Sequence, residues 1–441
     1  MNRILEVANA LTEGREAYEN IMRLDGCISF GVDEIYYPGR ERRDMPACGR
    51  LAAGDNLEYM EFLLKEKNMG GKLQLIYVDP PFFSNSKYQA SVRLETDKLG
   101  KSRLIKTGAY DDTWEDNLKQ YLRMLAVRFC MMRELLTEEG CIWVHLDWHG
   151  SHYVKLLLDE IFGADNFVNE IAWTYKSGGA SKKSFARKHD TLLFYSKTKK
   201  YKFNALKEKS YNREFKPYRF KGVEEYRDET GWYTMVNMKD VWSIDMVGRT
   251  SKERTGYATQ KPEKLLERII ETCTDEGDIC ADFFAGSGTL GAVAEKMGRE
   301  WIMCDEGDVA VASQIERLSR MKYGEDKRCR PFCVMRQEHD PDEAAFRLIR
   351  CTEDMGCLRI MDYVPDTLRL SEADEGVALE YIHDDSRSCI SFWSLDADYD
   401  GRVHRTSEII GGRDFCKLPE GGLHVIGYDV FGNRFCWEKM V

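Results

Sequence analysis

Short apolar runs alternate with amphipathic segments along most of the chain. Apolar runs that predict buried strands occupy residues 73–78, 141–146, 278–284 and 300–304. Apolar positions spaced three and four residues apart predict amphipathic helices at 3–24, 118–136, 153–162, 264–273 and 289–297. Strands that alternate with helices in this way predict an α/β fold with a largely parallel sheet, in which ligands bind at the carboxyl ends of the strands.

The pattern changes after about residue 327. Short segments of alternating polarity follow at 377–383, 389–395 and 424–430, separated by Asp-Gly and Gly-Asn turns. Such segments predict strands, so we expect a small β-rich appendage in this part of the chain. Two roles are open for it: a protein-docking module with its own β-fold, or a stabilising cap over the main sheet.

Length and composition favour a large core and no membrane segment. The chain has 441 residues, 43% of them hydrophobic, which is enough for a core larger than that of one typical domain. No run of about 18 apolar residues occurs, and the first residues lack the basic-then-apolar pattern of a secretory signal. Fourteen cysteines are scattered without a C-x-x-C pair, which is typical of reduced thiols. We therefore expect a cytoplasmic protein with no membrane partner.

The charge of the chain is unevenly distributed. The net charge is -11, yet residues 176–221 hold 15 Lys and Arg against 3 Asp and Glu, whereas residues 338–441 hold 11 basic and 22 acidic residues. A compact basic segment suits contacts with nucleic-acid phosphates, although a solvated Lys-rich linker has the same composition. Interleaved aromatic residues favour a folded module. The candidate phosphate contacts are Lys182, Lys183, Arg187 and Lys188.

A glycine-rich turn follows the predicted strand at 278–284. The sequence Asp282-Phe283-Phe284-Ala285-Gly286-Ser287-Gly288-Thr289 joins an acid at a strand end to a Gly-x-Gly turn and a new helix. Glycines at such a turn let the backbone approach a nucleotide closely. Asp305 and Glu306 stand at the end of the next predicted strand, where an acid accepts hydrogen bonds from ribose hydroxyls. Taken alone, this acid pair is also typical of an ordinary strand end.

A second motif, Asp79-Pro80-Pro81-Phe82, ends the predicted strand at 73–78. Two consecutive prolines cannot continue a central strand, so a loop begins there with a carboxylate at the strand tip. Asp79 and the carbonyl of Pro80 can accept hydrogen bonds from an amino group, and Phe82 can stack on a nucleic-acid base. The structural alternative is a turn in which Phe82 only anchors the core.

These two motifs resemble the catalytic and cofactor motifs of the amino-methyltransferase family of DNA-modifying enzymes. The catalytic motif precedes the cofactor motif by about 200 residues, with an insert between them, which resembles the β-class of that family. Residues 54–57 and 259–266 are similar to two further family elements, and residues 159–167 to a stretch shared with modification subunits of type III restriction systems. The resemblance covers roughly residues 51–320.

The chain departs from the family pattern at three points. Phe283 stands where the cofactor motif usually has proline, and Phe82 stands where the catalytic motif more often has tyrosine. Phe82 keeps the stacking face and lacks only a hydroxyl, so neither change removes a group that the chemistry needs. The chain is also shorter than typical type III modification subunits, which puts membership of that subgroup in question.

The resemblance implies an architecture and a set of site residues. The fold is expected to be a Rossmann-like methyltransferase domain that depends on S-adenosylmethionine. Its parts would be an N-terminal helical segment (1–50), a core in two pieces (51–165 and 259–330), a target-recognition insert (166–258) and an acidic β-rich C-terminal domain (331–441). The implied catalytic residues are Asp79, Pro80, Pro81 and Phe82. The implied cofactor-binding residues are Asp55, Lys261, Pro262, Asp282, Phe284, Ala285, Gly286, Ser287, Gly288, Thr289, Asp305 and Glu306.

The implied activity is transfer of a methyl group from S-adenosylmethionine to the N6 amine of adenine in double-stranded DNA. Base flipping and direct displacement would carry it out, within a restriction-modification or phage-defence system. Cytosine N4 is an alternative target, and a non-catalytic DNA-binding subunit is an alternative of another class. Methylation of RNA or protein is less favoured, because such enzymes often have Asn at the position of Asp79. A second copy of the chain and a separate restriction or translocase subunit are further expected partners.

Other chemistries have weak support in the sequence. His145, His149 and His152 lie close to Asp147, but His145 falls inside a predicted strand and methyl transfer from a sulfonium needs no metal. We therefore expect no metal site. No Pro-Cys dipeptide supplies the nucleophile of a cytosine-C5 methyltransferase, and no G-x-x-x-x-G-K-[ST] motif indicates an ATP-hydrolysing motor.

Overall fold

Helices and strands alternate through the structure, a computed structural model that describes residues 2–39, 47–95, 102–115, 117–176, 182–337, 349–354, 357–365, 375–417 and 423–439. The α-helices of these residues are α1 (Arg3–Arg23), α2 (Asn56–Lys65), α3 (Leu118–Leu135), α4 (Ser151–Leu158), α5 (Glu263–Cys273), α6 (Thr289–Lys296), α7 (Asp308–Arg320) and α8 (Glu375–Asp384). None of the described helices is both long and apolar enough to span a membrane.

The strands complete the set of elements. Up to residue 243 they are β1 (Phe30–Tyr36), β2 (Gly49–Ala53), β3 (Leu73–Val78), β4 (Ser86–Glu95), β5 (Ser102–Asp112), β6 (Leu136–Leu146), β7 (Phe167–Thr174), β8 (His189–Ser196), β9 (Lys207–Tyr211), β10 (Tyr226–Arg227), β11 (Trp232–Asn237) and β12 (Val241–Ser243). They continue as β13 (Ile279–Asp282), β14 (Glu300–Asp305), β15 (Lys322–Tyr323), β16 (Lys327–Arg328), β17 (Phe332–Gln337), β18 (Ile349–Asp354), β19 (Cys357–Tyr363), β20 (Ile390–Asp396), β21 (His404–Thr406), β22 (Ile409–Gly411), β23 (Phe415–Lys417), β24 (Leu423–Asp429) and β25 (Arg434–Lys439).

A mixed sheet of eleven strands forms the centre of the molecule. Its strands lie in the order β12-β7-β8-β6-β3-β13-β14-β2-β17-β1-β21. The strands from β6 to β17 in this order are all parallel. The prediction of an α/β fold with a largely parallel sheet is therefore confirmed, and the four predicted central strands correspond to β3, β6, β13 and β14.

Helices cover both faces of the sheet, which explains the apolar character of its central strands. In β3, Ile76 packs into the core formed with α1 to α4, whereas Leu75 and Tyr77 pack into the core formed with α5 to α7. Successive side chains of a strand point to opposite faces, so a strand covered on both faces needs a nearly continuous apolar run. The carboxyl edge of the sheet is left as the place where polar loops converge.

The segment 166–258, predicted as one target-recognition insert, is divided between two sheets. β7, β8 and β12 extend the central sheet beyond β6, because apolar side chains such as Trp173 and Phe194 are buried in its core. β9, β10 and β11 form a small sheet of their own. This small sheet joins the core near the C-terminal end of α5, where the N–H of Asn204 donates to the carbonyl of Thr272 at 2.7 Å. Within this segment, the strands β9 to β11 are thus the ones that form a sheet separate from the central one.

The C-terminal region is built into the central sheet. β17 pairs with β2 and β1, and β21 pairs with β1, so the predicted boundary at 331 falls just before a core strand. β1 itself lies in the segment 1–50, which we expected to be helical. The described remainder of the region forms sheets of order β18-β19-β23 and β22-β20-β24-β25, together with α8. The C-terminal region therefore contributes β17 and β21 to the central sheet and also forms two sheets of its own.

One predicted C-terminal strand is a helix. Residues 377–383, whose alternation suggested a strand, lie in α8. Ala378 and Tyr381 are buried three residues apart, which is the spacing of one helix face. The short segment satisfies both periodicities, and packing against the C-terminal core decides between them. The other two predicted strands, at 389–395 and 424–430, correspond to β20 and β24.

A buried ionic network joins the C-terminal region to the core. Glu34 on β1 is fully buried and accepts a hydrogen bond from the Tyr428 hydroxyl at 2.6 Å and from Arg434 Nε at 3.2 Å. Arg336 on β17 lies 3.5 Å from the same carboxylate. Burial opposes ionisation of Glu34, but the two arginines and the hydroxyls of Tyr36 and Tyr428 overcome it and lower the pKa to about 2. The carboxylate is therefore ionised and shared between both parts of the chain.

Candidate active site

Four acidic residues meet at the carboxyl edge of the central sheet. Asp79 follows β3, Asp282 ends β13, Asp305 ends β14, and Asp55 lies two residues after β2. These four strands are neighbours and parallel, so their carboxyl ends converge although the residues are far apart in the chain. A cavity of about 800 Å³ opens at this edge.

The cavity separates the predicted site residues into two groups. The first group lines it, and consists of Asp55, Asp79, Pro80, Pro81, Phe82, Lys261, Phe284, Gly286, Asp305 and Glu306. The second group lies behind the cavity wall, and consists of Pro262, Asp282, Ala285, Ser287, Gly288 and Thr289. Four of this group, Asp282, Ala285, Ser287 and Thr289, line a smaller pocket that also includes Asp79 and Lys261. The sequence pattern does not distinguish the two groups, because both occur within the same short motifs.

The two carboxylate oxygens of Asp79, a residue of the cavity lining, have different surroundings. Its Oδ2 accepts a hydrogen bond from the ammonium group of Lys261. Its Oδ1 is buried and has no hydrogen-bond partner among the described residues. The nearest nitrogen of His145 stands 3.6 Å away, which is too far for a hydrogen bond. A buried acceptor without a donor is costly in a folded protein, and Oδ1 is the oxygen of Asp79 whose hydrogen-bonding capacity is left unsatisfied.

Asp112 fixes the loop that carries Phe82. At the end of β5, its buried carboxylate accepts hydrogen bonds from the N–H groups of Phe82, Phe83 and Ser84 at 3.2, 3.1 and 2.7 Å. The Trp114 indole donates to the same carboxylate at 2.8 Å. The backbone of Phe83 has a φ of +64°, which is unfavourable for a residue with a side chain. The hydrogen bonds to Asp112 maintain this conformation. Asp112 is a functional residue that the sequence did not reveal, because it lies far from either motif.

The turn also receives support from α3. The Tyr121 hydroxyl donates to the carbonyl of Pro81 at 2.8 Å, and the Tyr121 ring packs on Phe83. The ring of Phe82 is thereby held at the cavity wall, with its centroid 5.6 Å from that of His145 and 5.5 Å from Lys261 Nζ. Phe82 is thus positioned to present an aromatic face to the cavity.

The side chain of His145 lies next to Asp79 and contacts two further polar side chains. The imidazole is fully buried on β6, with Nε2 3.2 Å from the carboxylate of Asp190 and Nδ1 2.9 Å from the Tyr77 hydroxyl. The tautomer protonated on Nε2 satisfies both contacts, since it donates to Asp190 and accepts from Tyr77. Burial opposes the charge of Asp190, yet the contact with His145 holds the pKa of Asp190 below its ordinary value. Tyr175 also donates to Asp190, at 3.0 Å. The sequence suggested His145 only as a metal ligand to be rejected.

The glycine loop is held by hydrogen bonds to its own backbone. Gly286 and Gly288 have φ values of +50° and +71°, which favour glycine. A Cβ on Gly288 would stand 2.9 Å from Gln314, whose amide donates to the Gly286 carbonyl at 2.9 Å. Asp282 accepts from the Phe284 N–H at 3.0 Å, and burial raises the pKa of Asp282. The loop is therefore closely packed and leaves its front face to the cavity.

Asp305 and Glu306 differ in what they offer to a ligand. Asp305 accepts hydrogen bonds from the N–H groups of Gly286 and Gly307 at 2.7 and 2.9 Å, so both of its oxygens are engaged. Burial raises the pKa of Asp305 to about 6, although these two donors favour its ionised form. Glu306 is exposed at the cavity wall. Its carboxylate is more accessible than that of Asp305.

Negative charge dominates the cavity. Asp55, at its wall, caps α2 by accepting from Leu57 and Glu58 and is paired with Arg128 at 2.9 Å. The carboxylates of the lining are Asp55, Asp79, Asp111, Glu115, Asp190, Asp305 and Glu306, and its cations are Arg128 and Lys261. Such an excess of carboxylates favours a cationic ligand.

The basic segment is divided between the two edges of the sheet. β8 runs antiparallel to β6, so its start lies at the edge that holds Asp79 and its end at the opposite edge. Residues 182–188, which we term the basic loop, immediately precede β8 and are therefore near the cavity. Lys197 and Lys202 follow β8, and Lys202 is paired with Asp278 at 2.8 Å. The four candidate phosphate contacts all lie in the basic loop.

The basic loop projects into solvent. Lys182, Lys183 and Arg187 are exposed, and Phe185 is 99% exposed. The Arg187 guanidinium stacks 4.0 Å from the ring centroid of Trp148, which follows β6 at the same edge. This contact places positive charge beside the cavity entrance.

Comparison with known proteins relates the chain to DNA methyltransferases. A family model described as DNA methylase (N6_N4_Mtase) matches residues 73–316. The type II methyltransferase M2.LlaDCHI of Lactococcus lactis subsp. cremoris is 28% identical over 261 residues, which cover 59% of this chain and 87% of that protein. M2.DpnII of Streptococcus pneumoniae is 28% identical over 235 residues, 53% of this chain and 77% of that protein.

Three further similarities have lower identity. The Mod subunit of the type III restriction-modification enzyme HindVI of Haemophilus influenzae is 24% identical over 410 residues, covering 64% of this chain and 51% of that protein. Among solved structures, the cytosine-N4-specific PvuII DNA methyltransferase aligns with a TM-score of 0.41 and 17% identity, covering 66% of this chain and 90% of that one. The complex of M1.HpyAVI with SAM aligns with a TM-score of 0.38 and 18% identity. This alignment covers 61% of this chain and 98% of that one.

Proposed function

The chain belongs to the N6/N4 family of DNA methylases, and we propose that it methylates the N6 amine of adenine in double-stranded DNA. It is a DNA methyltransferase that uses S-adenosylmethionine, and its relatives are enzymes of restriction-modification systems. The observation that carries it is the buried, unpartnered Oδ1 of Asp79 beside Phe82.

The cavity suits S-adenosylmethionine in charge and shape. Bound there, the cofactor supplies a methyl group on a positively charged sulfonium. The excess of carboxylates matches that charge. Gly286 brings backbone to the cavity wall at a position where a Cβ would stand 3.3 Å from Tyr257. We assign the cofactor to the side of the cavity formed by Asp55, Phe284, Gly286 and Glu306, with Glu306 as the acceptor for ribose hydroxyls.

Asp79 and Phe82 receive the target base. The base leaves the DNA stack and lies against the ring of Phe82, which Asp112 and Tyr121 hold in place. Oδ1 of Asp79 then accepts a hydrogen bond from the amine, and the Pro80 carbonyl accepts a second. As the amine nitrogen bonds to the methyl carbon, the bond from that carbon to the sulfonium sulfur would break, and the cofactor would leave as a neutral thioether. The nitrogen would become positive, the Asp79 carboxylate would stabilise this charge, and a proton would then leave the amine for solvent. Positioning and electrostatic stabilisation supply the catalysis, and no acidic group need protonate the substrate.

Lys261 and His145 orient the carboxylate. Lys261 donates to Oδ2, which leaves Oδ1 as the oxygen without a donor, and we assign Oδ1 to the substrate amine. The bonds of His145 to Asp190 and Tyr77 keep its ring in one orientation behind Asp79. A carboxylate fixed in this way loses little entropy when it accepts a hydrogen bond. We assign Lys261 to positioning of Asp79 rather than to cofactor contact.

Adenine is favoured over cytosine by the aromatic lining of the cavity. Tyr88, Tyr110, Trp173 and Tyr257 line it in addition to Phe82. The two-ring adenine buries more area against such a lining than the one-ring cytosine does, which helps to offset the cost of unstacking. Cytosine N4 is the second candidate, because its amine presents the same donors to Asp79.

DNA and a separate subunit complete the proposal. We assign Lys182, Lys183, Arg187 and Lys188 of the basic loop to phosphate contacts beside the cavity, and the small sheet of β9 to β11 to target recognition. DNA cleavage would belong to another polypeptide, as the name of the HindVI Mod subunit suggests for that relative.

Single-molecule sequencing of DNA from a methylation-null host tests the proposed function. Cells that express the chain should contain N6-methyladenine within one recurring sequence context. Cells that express Asp79→Ala should contain none, at an equal protein level. Methylcytosine in place of methyladenine would select the second candidate, and unmodified DNA in both strains would refute the activity.

A further inference from the structure

A second large cavity lies between the methyltransferase core and the C-terminal region. It has a volume of about 960 Å³. One wall consists of the β4–β5 hairpin, the segment 249–257 and the outer face of α7; the other wall comes from residues 388–391, 411–414 and 429–432. We refer to it as the arginine cleft, because Arg93, Arg249, Arg254, Arg320 and Arg413 line it.

The walls of the arginine cleft are held together by close backbone packing. Gly432 has a φ of +87°, and a Cβ there would stand 2.4 Å from the backbone nitrogen of Val309 at the start of α7. The Ser391 hydroxyl donates to Glu316 on α7 at 3.1 Å. On the other side, the Ser91 N–H of β4 donates to the Gly256 carbonyl at 3.1 Å. The cleft is therefore a defined feature of the fold between packed elements.

The charge of the cleft is accessible on one wall. Arg320 is paired with Glu316 at 3.3 Å, and Arg413 lies 3.3 Å from Asp385. Arg93, Arg249 and Arg254 are exposed, and none of them forms an ion pair with a carboxylate that the structure describes. These three guanidinium groups suit anionic oxygen atoms, with which they can form paired hydrogen bonds.

The carboxylates of the cleft are largely engaged by the protein. Asp429 is buried and accepts from the Tyr363 hydroxyl at 2.9 Å and from the Phe431 N–H at 2.9 Å. Glu316 is engaged by Arg320 and Ser391, which leaves Asp414 as the exposed carboxylate of the lining. The cleft thus offers more cationic than anionic groups, although the C-terminal region as a whole is acidic.

A buried hydroxyl adds a second, independent feature. Ser388 is 3% exposed and lines the cleft, and its Oγ has no hydrogen-bond partner among the described residues. An unsatisfied buried hydroxyl is uncommon, and it can donate to an anionic oxygen. Arginines and this hydroxyl together match the oxygen atoms of a phosphate group.

The arginine cleft adjoins the catalytic cavity. Tyr257 lines both cavities and separates them. The segment that carries Arg254 is tied to the active site, because the Gln260 side chain accepts from the Thr255 N–H at 2.8 Å and donates to the Glu253 carbonyl at 2.6 Å. Lys261, the partner of Asp79, is the next residue. A strand whose base occupies the catalytic cavity therefore has its neighbouring phosphates close to the cleft.

We propose that the arginine cleft binds the phosphate backbone of the DNA strand that flanks the flipped base, so that the C-terminal region forms one wall of the DNA path. The inference rests on the proposed function, since it names where the DNA of that reaction runs. Arg249 and Arg254 make the principal contacts, and Arg93 on the β4–β5 hairpin extends them.

The test measures the salt dependence of DNA binding by fluorescence anisotropy with a labelled duplex and the full chain. The double variant Arg249→Ala/Arg254→Ala should lose up to about 1.8 from the slope of log K against log salt, at about 0.9 per phosphate contact. Arg249→Lys/Arg254→Lys, which keeps both charges, should retain most of the slope. The matched control is Arg3→Ala/Arg23→Ala, which removes the same charge from α1 and should bind DNA as the wild type does.

The outcomes separate the cleft from the proposed function. If the double alanine variant binds DNA with the slope of the α1 control while the wild type methylates DNA, the cleft proposal is overturned and the activity stands. If the wild type transfers no methyl group, the proposed function fails, whatever the slopes are. Inorganic phosphate that binds to the wild type but not to the double variant, with no difference in DNA slope, would identify a free-anion site and also overturn the DNA assignment. Calorimetry with S-adenosylmethionine should give equal affinities for the double variant and the wild type.

Discussion

Replacement of Asp79 by Ala removes the carboxylate that we assign to the substrate amine. We expect the single-turnover rate of methyl transfer to fall about 100-fold or more, which corresponds to at least about 2.7 kcal/mol of lost transition-state stabilisation. Affinity for S-adenosylmethionine should change little, because Asp305 and Gln314, and not Asp79, hold the glycine loop. The loss should therefore appear in the rate rather than in cofactor binding.

The same substitution also leaves the ammonium group of Lys261 without its carboxylate partner. The side chain of Lys261 is only 10% exposed and would lose its carboxylate partner, a change that typically costs about 3–5 kcal/mol of stability in a buried pair. The double variant Asp79→Ala/Lys261→Met removes both charges and should recover part of this stability while remaining inactive. Asp79→Asn, which keeps the volume and one oxygen but not the charge, should be slow as well.

Rapid-quench measurement of methyl transfer from labelled S-adenosylmethionine to duplex DNA provides the rates, and thermal unfolding provides the stabilities. Both are needed, because a folding defect alone would lower the amount of active protein without changing the rate of the folded fraction. Retention of more than about a tenth of the wild-type rate by Asp79→Ala would refute the role assigned to Oδ1.

The remaining predictions concern the cofactor, the DNA and the C-terminal junction. Glu306→Ala should weaken S-adenosylmethionine binding by about 1–3 kcal/mol in calorimetry. Asp305→Ala should also weaken this binding, because the glycine loop would be displaced. Wild-type affinity in both variants would exclude this wall of the cavity as the cofactor site. Neutralising the four cations of the basic loop should lower affinity for all DNA sequences and flatten the salt dependence by about 0.9 per lost phosphate contact, and an unchanged slope would mean a merely solvated loop. Glu34→Gln should destabilise folding by about 3–5 kcal/mol in urea, against about 0–1 kcal/mol for the exposed control Glu19→Gln. Because the pKa of Glu34 is lowered to about 2, its contribution is complete above about pH 4.5 and is lost as pH falls toward 2, so a wild-type stability that is flat across this range would contradict it.

The central strands and both motifs follow from the sequence because their signals are local. β3 is buried on both faces and so reads as an apolar run, and the prolines after Asp79 mark its end. Gly286 and Gly288 indicate a turn, and their positive φ values in the structure are ones that glycine adopts readily. Each of these inferences depends on a few consecutive residues whose chemistry has one common structural use.

The features that escaped prediction depend on contacts between distant segments. Asp112 and His145 carry no local signature, and their roles appear only when β5 and β6 lie beside the catalytic loop. β17 reads as an ordinary strand, and only its pairing with β2 and β1 assigns it to the central sheet. Charge composition does not give positions in the fold: lysines of one basic segment lie at opposite edges of the sheet, and the acidic C-terminal region forms one wall of the arginine cleft.

Mass spectrometry of nucleosides tests the central claim most directly. Purified protein is incubated with duplex DNA and S-adenosylmethionine that carries a deuterated methyl group, and the DNA is then digested to nucleosides. The account predicts labelled N6-methyldeoxyadenosine with the wild type and none with Asp79→Ala. Labelled N4-methyldeoxycytidine, or no labelled nucleoside at all with the wild type, would contradict it.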